Sequence, residues 1–220
     1  MSRTRIWSRA AAVAAPLILA VGMLAGGPAL PAQRAAPAVS ADDKADIGRI
    51  ETYLDGIKTM QSRFLQVATD GSSAEGTISL SRPGRMRIEY DPPNPVLIVA
   101  DGHFLIYFDR ELEQVSYLGL DDTPAGFLLQ DKIQISGKVA VEGIERRPGV
   151  ISVTVAKIDD PGEGRLTLVF SDKPLALKKW VVVDHQGVTT NFSLLSPRFG
   201  IELGRELFQF DRPKSPEENN

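Results

Sequence analysis

The sequence predicts a mainly β fold (α+β), with about eleven or twelve short strands in one antiparallel sheet that is strongly curved or closed. Three observations lead there. From Met60 almost to the end, apolar residues recur with period two. The runs are separated by turn chemistry at Asp70-Gly71, Pro83-Gly84, Asp101-Gly102, Pro148-Gly149, Pro161-Gly162 and Gln186-Gly187. Beyond residue 41, only two segments read as helix.

The first residues carry Arg3, Arg5 and Arg9 without an acid, and an apolar stretch follows from Ala10 to about Leu30. Small residues then lead to Val39-Ser40-Ala41. That order is a secretory signal, with cleavage predicted near Ala41. A retained membrane anchor is the rival reading, weakened by Pro16 and by the Gly22, Gly26, Gly27, Pro28 cluster. The predicted organisation is a signal peptide over 1–41, one domain over 42–213 and a disordered polar tail over 214–220. The predicted location is therefore outside the cytoplasm.

The chain's formal charge is −3, and the first 41 residues hold four arginines and no acid, so the remainder carries −7. A mildly acidic surface without Lys/Arg clusters argues against nucleic acid as a partner. With no cysteine, the chain has no thiol catalysis, no thiolate metal site and no signal-peptide cysteine to be lipidated.

The first helix is read over residues 42–57, where Ile47, Ile50, Leu54 and Ile57 fall at spacings of three and four. Strands follow near 60–68, 75–82, 85–91, 96–100, 103–108, 113–118, 133–143, 150–158, 165–171, 177–184, 188–195 and 199–210. Asp101-Gly102 is the strongest hairpin signal, read as a two-residue turn with positive φ at both positions. The second helix lies within 121–130, where Thr123 can cap, Pro124 suits the first helical position and Phe127, Leu128 and Leu129 follow.

Some strands are apolar on one face only. In 85–90, Met86, Ile88 and Tyr90 share one side, and Arg85, Arg87 and Glu89 share a side read as solvated. In 77–81, Ile78 and Leu80 alternate with hydroxyls. The hairpin over 96–108, the run 180–183 and the run 192–195 are apolar on both faces and need cover on both. The interior is either a packed core or a space closed by the two helices, and periodicity does not separate these.

No catalytic constellation emerges, and the chain is read as not an enzyme and as using no cofactor. His103 and His185 each flank a turn glycine and form no metal spacing. The acid pairs Asp121-Asp122 and Asp159-Asp160 sit beside turn prolines, where Asp bonds its own backbone. The distinctive cluster is S-R-P-G-R-M-R-I-E-Y-D-P-P (81–93), with three arginines in six residues. The Pro83-Gly84 turn breaks the parity count, which leaves the direction of Arg82 open. An Arg at a sheet rim could hold the carbonyls that end a short helix.

At this cluster the chain resembles the periplasmic outer-membrane lipoprotein carrier family, LolA. The matching features run in order: the amphipathic helix, F-L-Q (64–66), G-T-I-S-L (76–80), R-P-G-R-M-R-I-E-Y (82–90), V-A-D-G (99–102), Y-F-D (107–109), E-Q-V (113–115), T-P-A-G-F-L-L (123–129) and F-Q-F-D-R-P (208–213). The resemblance implies an unclosed antiparallel β-barrel of about eleven strands, with a short helical lid over an apolar concave face. It places the lid-holding arginine on Arg82. It places the acyl-chain cavity on Phe64, Ile78, Leu80, Met86, Ile88 and Tyr90, and the lid on Phe127, Leu128 and Leu129. The family's usual Trp is Ile88 here, so the cavity differs in shape. The implied partners are acylated lipoproteins as cargo, an inner-membrane ABC transporter of lipoproteins and an outer-membrane receptor, with the carrier itself a monomer. The alternative on the same fold is a lipid- or lipoprotein-sensing regulatory module; such proteins carry a second domain, for which 179 residues leave no room. A hydrolase is the third reading, disfavoured by the missing His, Cys or Ser constellation.

Overall fold

The computed structural model describes residues 40–135, 139–158, 162 and 164–211. The leader, the polar tail and the Asp159-Asp160 pair lie outside the described residues.

Helix α1 spans Ala41–Gly56. Its start is fixed by a capping box. Ser40 Oγ accepts from the Asp43 N–H at 3.1 Å, and Asp43 Oδ2 accepts from the Ser40 N–H at 3.1 Å. Asp43 and Asp46 also receive the Arg146 guanidinium, which ties the first turns to the sheet. Ile47, Ile50 and Leu54 form the buried stripe.

Eleven antiparallel strands follow: β1 (Thr59–Ala68), β2 (Ser73–Ser81), β3 (Arg85–Tyr90), β4 (Val96–Asp101), β5 (Phe104–Asp109), β6 (Gln114–Gly119), β7 (Val139–Arg147), β8 (Val150–Lys157), β9 (Gly164–Ser171), β10 (Ala176–Asp184) and β11 (Thr189–Phe199). Their order is β6-β5-β4-β3-β2-β1-β11-β10-β9-β8-β7, so β6 and β7 are the two edges and the sheet does not close on itself. Between β6 and β7 comes helix α2, Pro124–Leu128. The predicted fold class is the one observed.

One core cluster gathers Phe64, Ile78, Ile88, Trp180, Leu168 and Val153 from strands across the sheet, together with the apolar stripe of α1. Side chains that alternate inward therefore face a common concave side, and helices cover it. Each such chain buried from water contributes about 1.5–3 kcal/mol.

Three expectations need correction. The run 133–143 is not one strand: β7 begins at Val139, and Ile133 and Ile135 lie in the irregular segment before it. Their N–H groups are taken by carboxylates of α1 instead of a neighbouring strand, from Ile133 to Asp55 Oδ1 at 2.8 Å and from Ile135 to Glu51 Oε1 at 2.7 Å. The run 199–210 is not a twelfth strand. β11 already has partners on both sides, β1 and β10, so the continuing chain finds no free edge. It turns at Gly200 (φ +67), enters a 3₁₀ turn at Arg205–Phe208, and buries Phe208. There it covers the outer face: Phe210 meets Phe108 with ring centroids 5.4 Å apart, and Arg87 Nη1 donates to the Leu207 carbonyl at 3.5 Å. Arg87 is accordingly half-buried and not solvated. Third, β4 and β5 do pair, but only Gly102 (φ +112) has positive φ. Asp101 stays extended at the end of β4, where its Oδ1 accepts from the N–H groups of His103 and Phe104 at 2.8 and 2.9 Å. This Asx turn replaces the expected Asp-Gly turn.

Candidate functional site

The concave side is built from two halves. Nearest the β2–β3 turn, Met60, Ile78, Leu80 and Met86 present their side chains toward α1 and α2. Further along the same strands stand Phe64, Ile88 and Tyr90, joined from β10 and β11 by Trp180 and Phe192. These aromatic rings form a chain: Phe64 meets Tyr90 edge-on at 5.3 Å, Phe192 lies 5.9 Å from Phe64, and Trp180 stacks on Phe192 at 5.6 Å. Gly76 makes this possible. A Cβ there would lie 2.3 Å from the Glu89 carbonyl and 2.7 Å from the Phe64 ring.

Arg82 follows β2 and is only 8% exposed. It sits in a tight connection whose backbone is already committed: its own N–H donates to the Lys58 carbonyl at 2.8 Å, and the Gly84 N–H donates to the Leu129 carbonyl at 2.8 Å. Gly84 has φ +79, and a Cβ on it would come within 2.9 Å of the Gly102 Cα, so only glycine fits without strain. This places the guanidinium under the end of α1 and under the chain leaving α2 together. Nε donates to the Ile57 carbonyl at 2.7 Å, Nη2 to the Leu54 carbonyl, and Nη1 to the Gln130 carbonyl at 3.3 Å. Two of the three acceptors belong to the C-terminal end of α1, where orphan carbonyls and the helix dipole favour a cation. Burial pulls the Arg82 guanidinium below its ordinary value, and the carboxylates of Asp55 and Asp131 work against that.

Helix α2 is short, and its start is fixed by Thr123. Thr123 Oγ1 accepts from the Gly126 N–H at 3.2 Å and donates to the Leu120 carbonyl at 2.8 Å. Phe127 and Leu129 are buried in the main core, and Leu128 packs against it half-buried. The chain leaving α2 is then fastened to α1 by Asp55 and Glu51, as above, and by Lys58 Nζ on the Asp131 carbonyl at 3.1 Å. Segment 127–135 and α1 thus make one apolar cover, with Arg82, Arg146 and the Gly84 N–H among the groups that join it to the sheet.

Under the cover the space is nearly filled. The cavity between Leu54, Met60, Ile78, Met86, Leu128 and Trp180 holds about 40 Å³, with Arg82 as the charged group in its wall. Of the sequence-predicted cavity residues, Ile78, Leu80 and Met86 line this space. Phe64, Ile88 and Tyr90 belong to the same concave face at the aromatic half. Sequence reasoning did not single out Met60, Leu177, Trp180, Phe192 or Ile133 as cavity or cover residues. For Trp180 and Phe192 a signal existed, since both lie in the runs that are apolar on two faces. Met60 alternates with Phe64 on β1 and was reachable by the same parity. Among the described residues, no cluster of His, Cys, Asp and Glu is arranged to hold a metal. No described helix is long and apolar enough to cross a membrane.

The family model for the outer membrane lipoprotein carrier protein LolA matches residues 55–211. An outer-membrane lipoprotein carrier protein of Pseudomonas paraeruginosa is 31% identical over 182 residues, which cover 79% of this chain and 86% of that one. One from Legionella pneumophila is 31% identical over 175 residues, covering 75% and 85%. Among solved structures, a LolA superfamily protein of Nitrosomonas europaea aligns over 74% of this chain and 97% of its own, at 12% identity and a TM-score of 0.43. The curated relatives are matched over most of their length, and the model match spans the sheet, the Arg82 turn and α2. The chain belongs to the LolA family of outer membrane lipoprotein carriers.

Proposed function

We propose that this protein is a periplasmic carrier that shelters the acyl chains of lipoproteins in its concave face and moves them from the inner to the outer membrane, without catalysis. The observation that carries the reading is an apolar concave sheet face closed by α1 and segment 127–135, with a buried arginine bonded to the ends of both. Membership of the carrier family supports it.

The energetics fit a device that must both load and unload. Each acyl methylene kept from water is worth about 0.8 kcal/mol, so a sixteen-carbon chain in water costs on the order of 12 kcal/mol. In the closed form the same face is filled by Phe127, Leu128, Leu129 and Ile133. Each of these is worth about 1.5–3 kcal/mol when buried. Exchanging these side chains for acyl methylenes is close to balanced, and the Arg82 hydrogen bonds bias the equilibrium towards the closed form. In this reading Arg82 holds the lid, segment 127–129 is the lid, and Phe64, Ile78, Leu80, Met86, Ile88 and Tyr90 contact the chains. The leader over 1–41 delivers the protein to the periplasm as a soluble monomer. An inner-membrane ABC transporter supplies the cargo and an outer-membrane receptor takes it.

Depletion tests the function. When the protein is removed from its host, acylated lipoproteins should accumulate in the inner-membrane fraction. Unchanged partition of lipoproteins between the two membranes would refute the carrier role.

A further inference from the structure

The aromatic half of the concave face contains one polar pair. Gln66 and Tyr90 both point inward, in register with the buried Phe64 on β1 and with Ile88 on β3. They reach each other across β2 at Gly76 and Ala74, where no large side chain stands between them. The Tyr90 hydroxyl donates to Gln66 Oε1. That bond spends the hydroxyl proton and fixes the carboxamide, and Gln66 Nε2 has no acceptor among the described residues. Around the pair lie Phe64, Phe192, Ala74 and Val96, all apolar. Ala74 and Val96 also line an open groove of about 560 Å³, together with Pro92, Pro93 and Pro95 and the polar Ser73, Glu75, Asp91, Asn94 and Asp109. The apolar face and this groove share Ala74 and Val96 at the end away from Arg82, and Gln66 pairs directly with Ala74 there.

We propose that Gln66 and Tyr90 form a subsite for the carbonyl of a fatty-acyl linkage, with the hydrocarbon lying toward the lid and the polar head leaving through the groove. The inference rests on the carrier reading and adds a direction to it. An alkyl chain offers nothing to a carboxamide N–H, whereas an ester carbonyl accepts a hydrogen bond. A donor already oriented by Tyr90 gains that bond without further ordering cost. Gln66 acts as the contact, and Tyr90 positions it.

The test compares two synthetic lipopeptides with the same cysteinyl peptide and the same chain length, one a diacyl-glyceryl ester and the other its dialkyl ether, which lacks the carbonyls. Binding to the mature protein is measured by titration. Wild type is expected to prefer the ester by roughly three- to tenfold, the size of one neutral hydrogen bond. Gln66→Leu should lose the preference and bind ester and ether equally. Tyr90→Phe keeps the ring on Phe64 and should lose most of the preference, so the test does not depend on one variant folding. Equal binding of ester and ether by wild type overturns the subsite and leaves the carrier reading intact. Equal losses for both ligands in Gln66→Leu and Tyr90→Phe also overturn it. Failure of wild type to bind either lipopeptide overturns the carrier reading and the subsite with it.

Discussion

Replacing Arg82 with leucine removes one joint between cover and sheet and leaves others in place, among them Arg146 on Asp43 and Asp46 and the Gly84 N–H on the Leu129 carbonyl. The guanidinium donates to the carbonyls of Leu54, Ile57 and Gln130. The Leu54 carbonyl keeps the Ile57 N–H at 3.0 Å, so the loss falls on Ile57 and Gln130. Hydrogen bonds to a charged group are worth about 1.5–3 kcal/mol each. Burial already acts against the charge, as the lowered Arg82 pKa records, so leucine recovers part of the loss. A closed-state deficit of about 2–4 kcal/mol results, and roughly half of it belongs to the bond with Gln130, which closes the lid. Hydrogen exchange read by mass spectrometry resolves this, because each 1.4 kcal/mol is a factor of ten in the opening equilibrium. Amides over 129–135 should exchange about five- to thirtyfold faster in Arg82→Leu while remaining less protected than those of β8 and β9. Acyl-chain occupancy of the purified variant should rise, since the closed form no longer competes as strongly. Unchanged exchange over 129–135 would refute the assignment of Arg82 as the latch.

Gly76→Ala forces a Cβ against the Glu89 carbonyl and the Phe64 ring and should lower stability by about 1–3 kcal/mol in urea denaturation; a neutral result would contradict the close packing described. Burial pushes the Tyr90 phenol up to about 12 from 10.0. Because the folded value is the raised one, the proton stays on in the native state while the unfolded chain loses it, so this contribution to stability is present below pH 10 and is lost as pH rises toward 12. The stability difference between wild type and Tyr90→Phe should therefore narrow over that window, and a constant difference would argue against a buried phenol. Asp43 is shifted the other way, its carboxyl held below the usual range by Arg146 and then by Ser40. Its contribution is present above the ordinary carboxylate value and is lost as pH falls through the lowered one, so Asp43→Asn should lower the neutral plateau of the thermal-stability profile and flatten its acid limb.

The strands with a single apolar face were legible because their pattern states which side is buried: Met86, Ile88 and Tyr90 on β3 and Ile78 and Leu80 on β2 lie where parity put them. Where a run is apolar on both sides, parity does not say which side turns inward, which is why Trp180 and Phe192 were not assigned to the concavity. Ile133 and Ile135 alternate as a strand does, yet their backbone partners are side chains of α1, 84 residues away in the case of Glu51. No local pattern encodes such a partner. The direction of Arg82 was likewise beyond counting, because a tight turn at Pro83-Gly84 resets the alternation. The family resemblance supplied it, and the hydrogen bonds to Leu54, Ile57 and Gln130 now give a physical reason. Residues 199–210 alternate as well, but pairing needs a free edge, and the sheet offers none beside β11.

The central claim is that the concave face holds acyl chains. Native mass spectrometry of the protein, expressed with its own leader and purified from the periplasm without detergent, tests it most directly. The expected spectrum shows one carrier bound to one acylated polypeptide, with the adduct enriched in Arg82→Leu. A spectrum of unliganded protein in both forms, or of adducts that survive enzymatic removal of every acyl chain from the cargo, would contradict the claim.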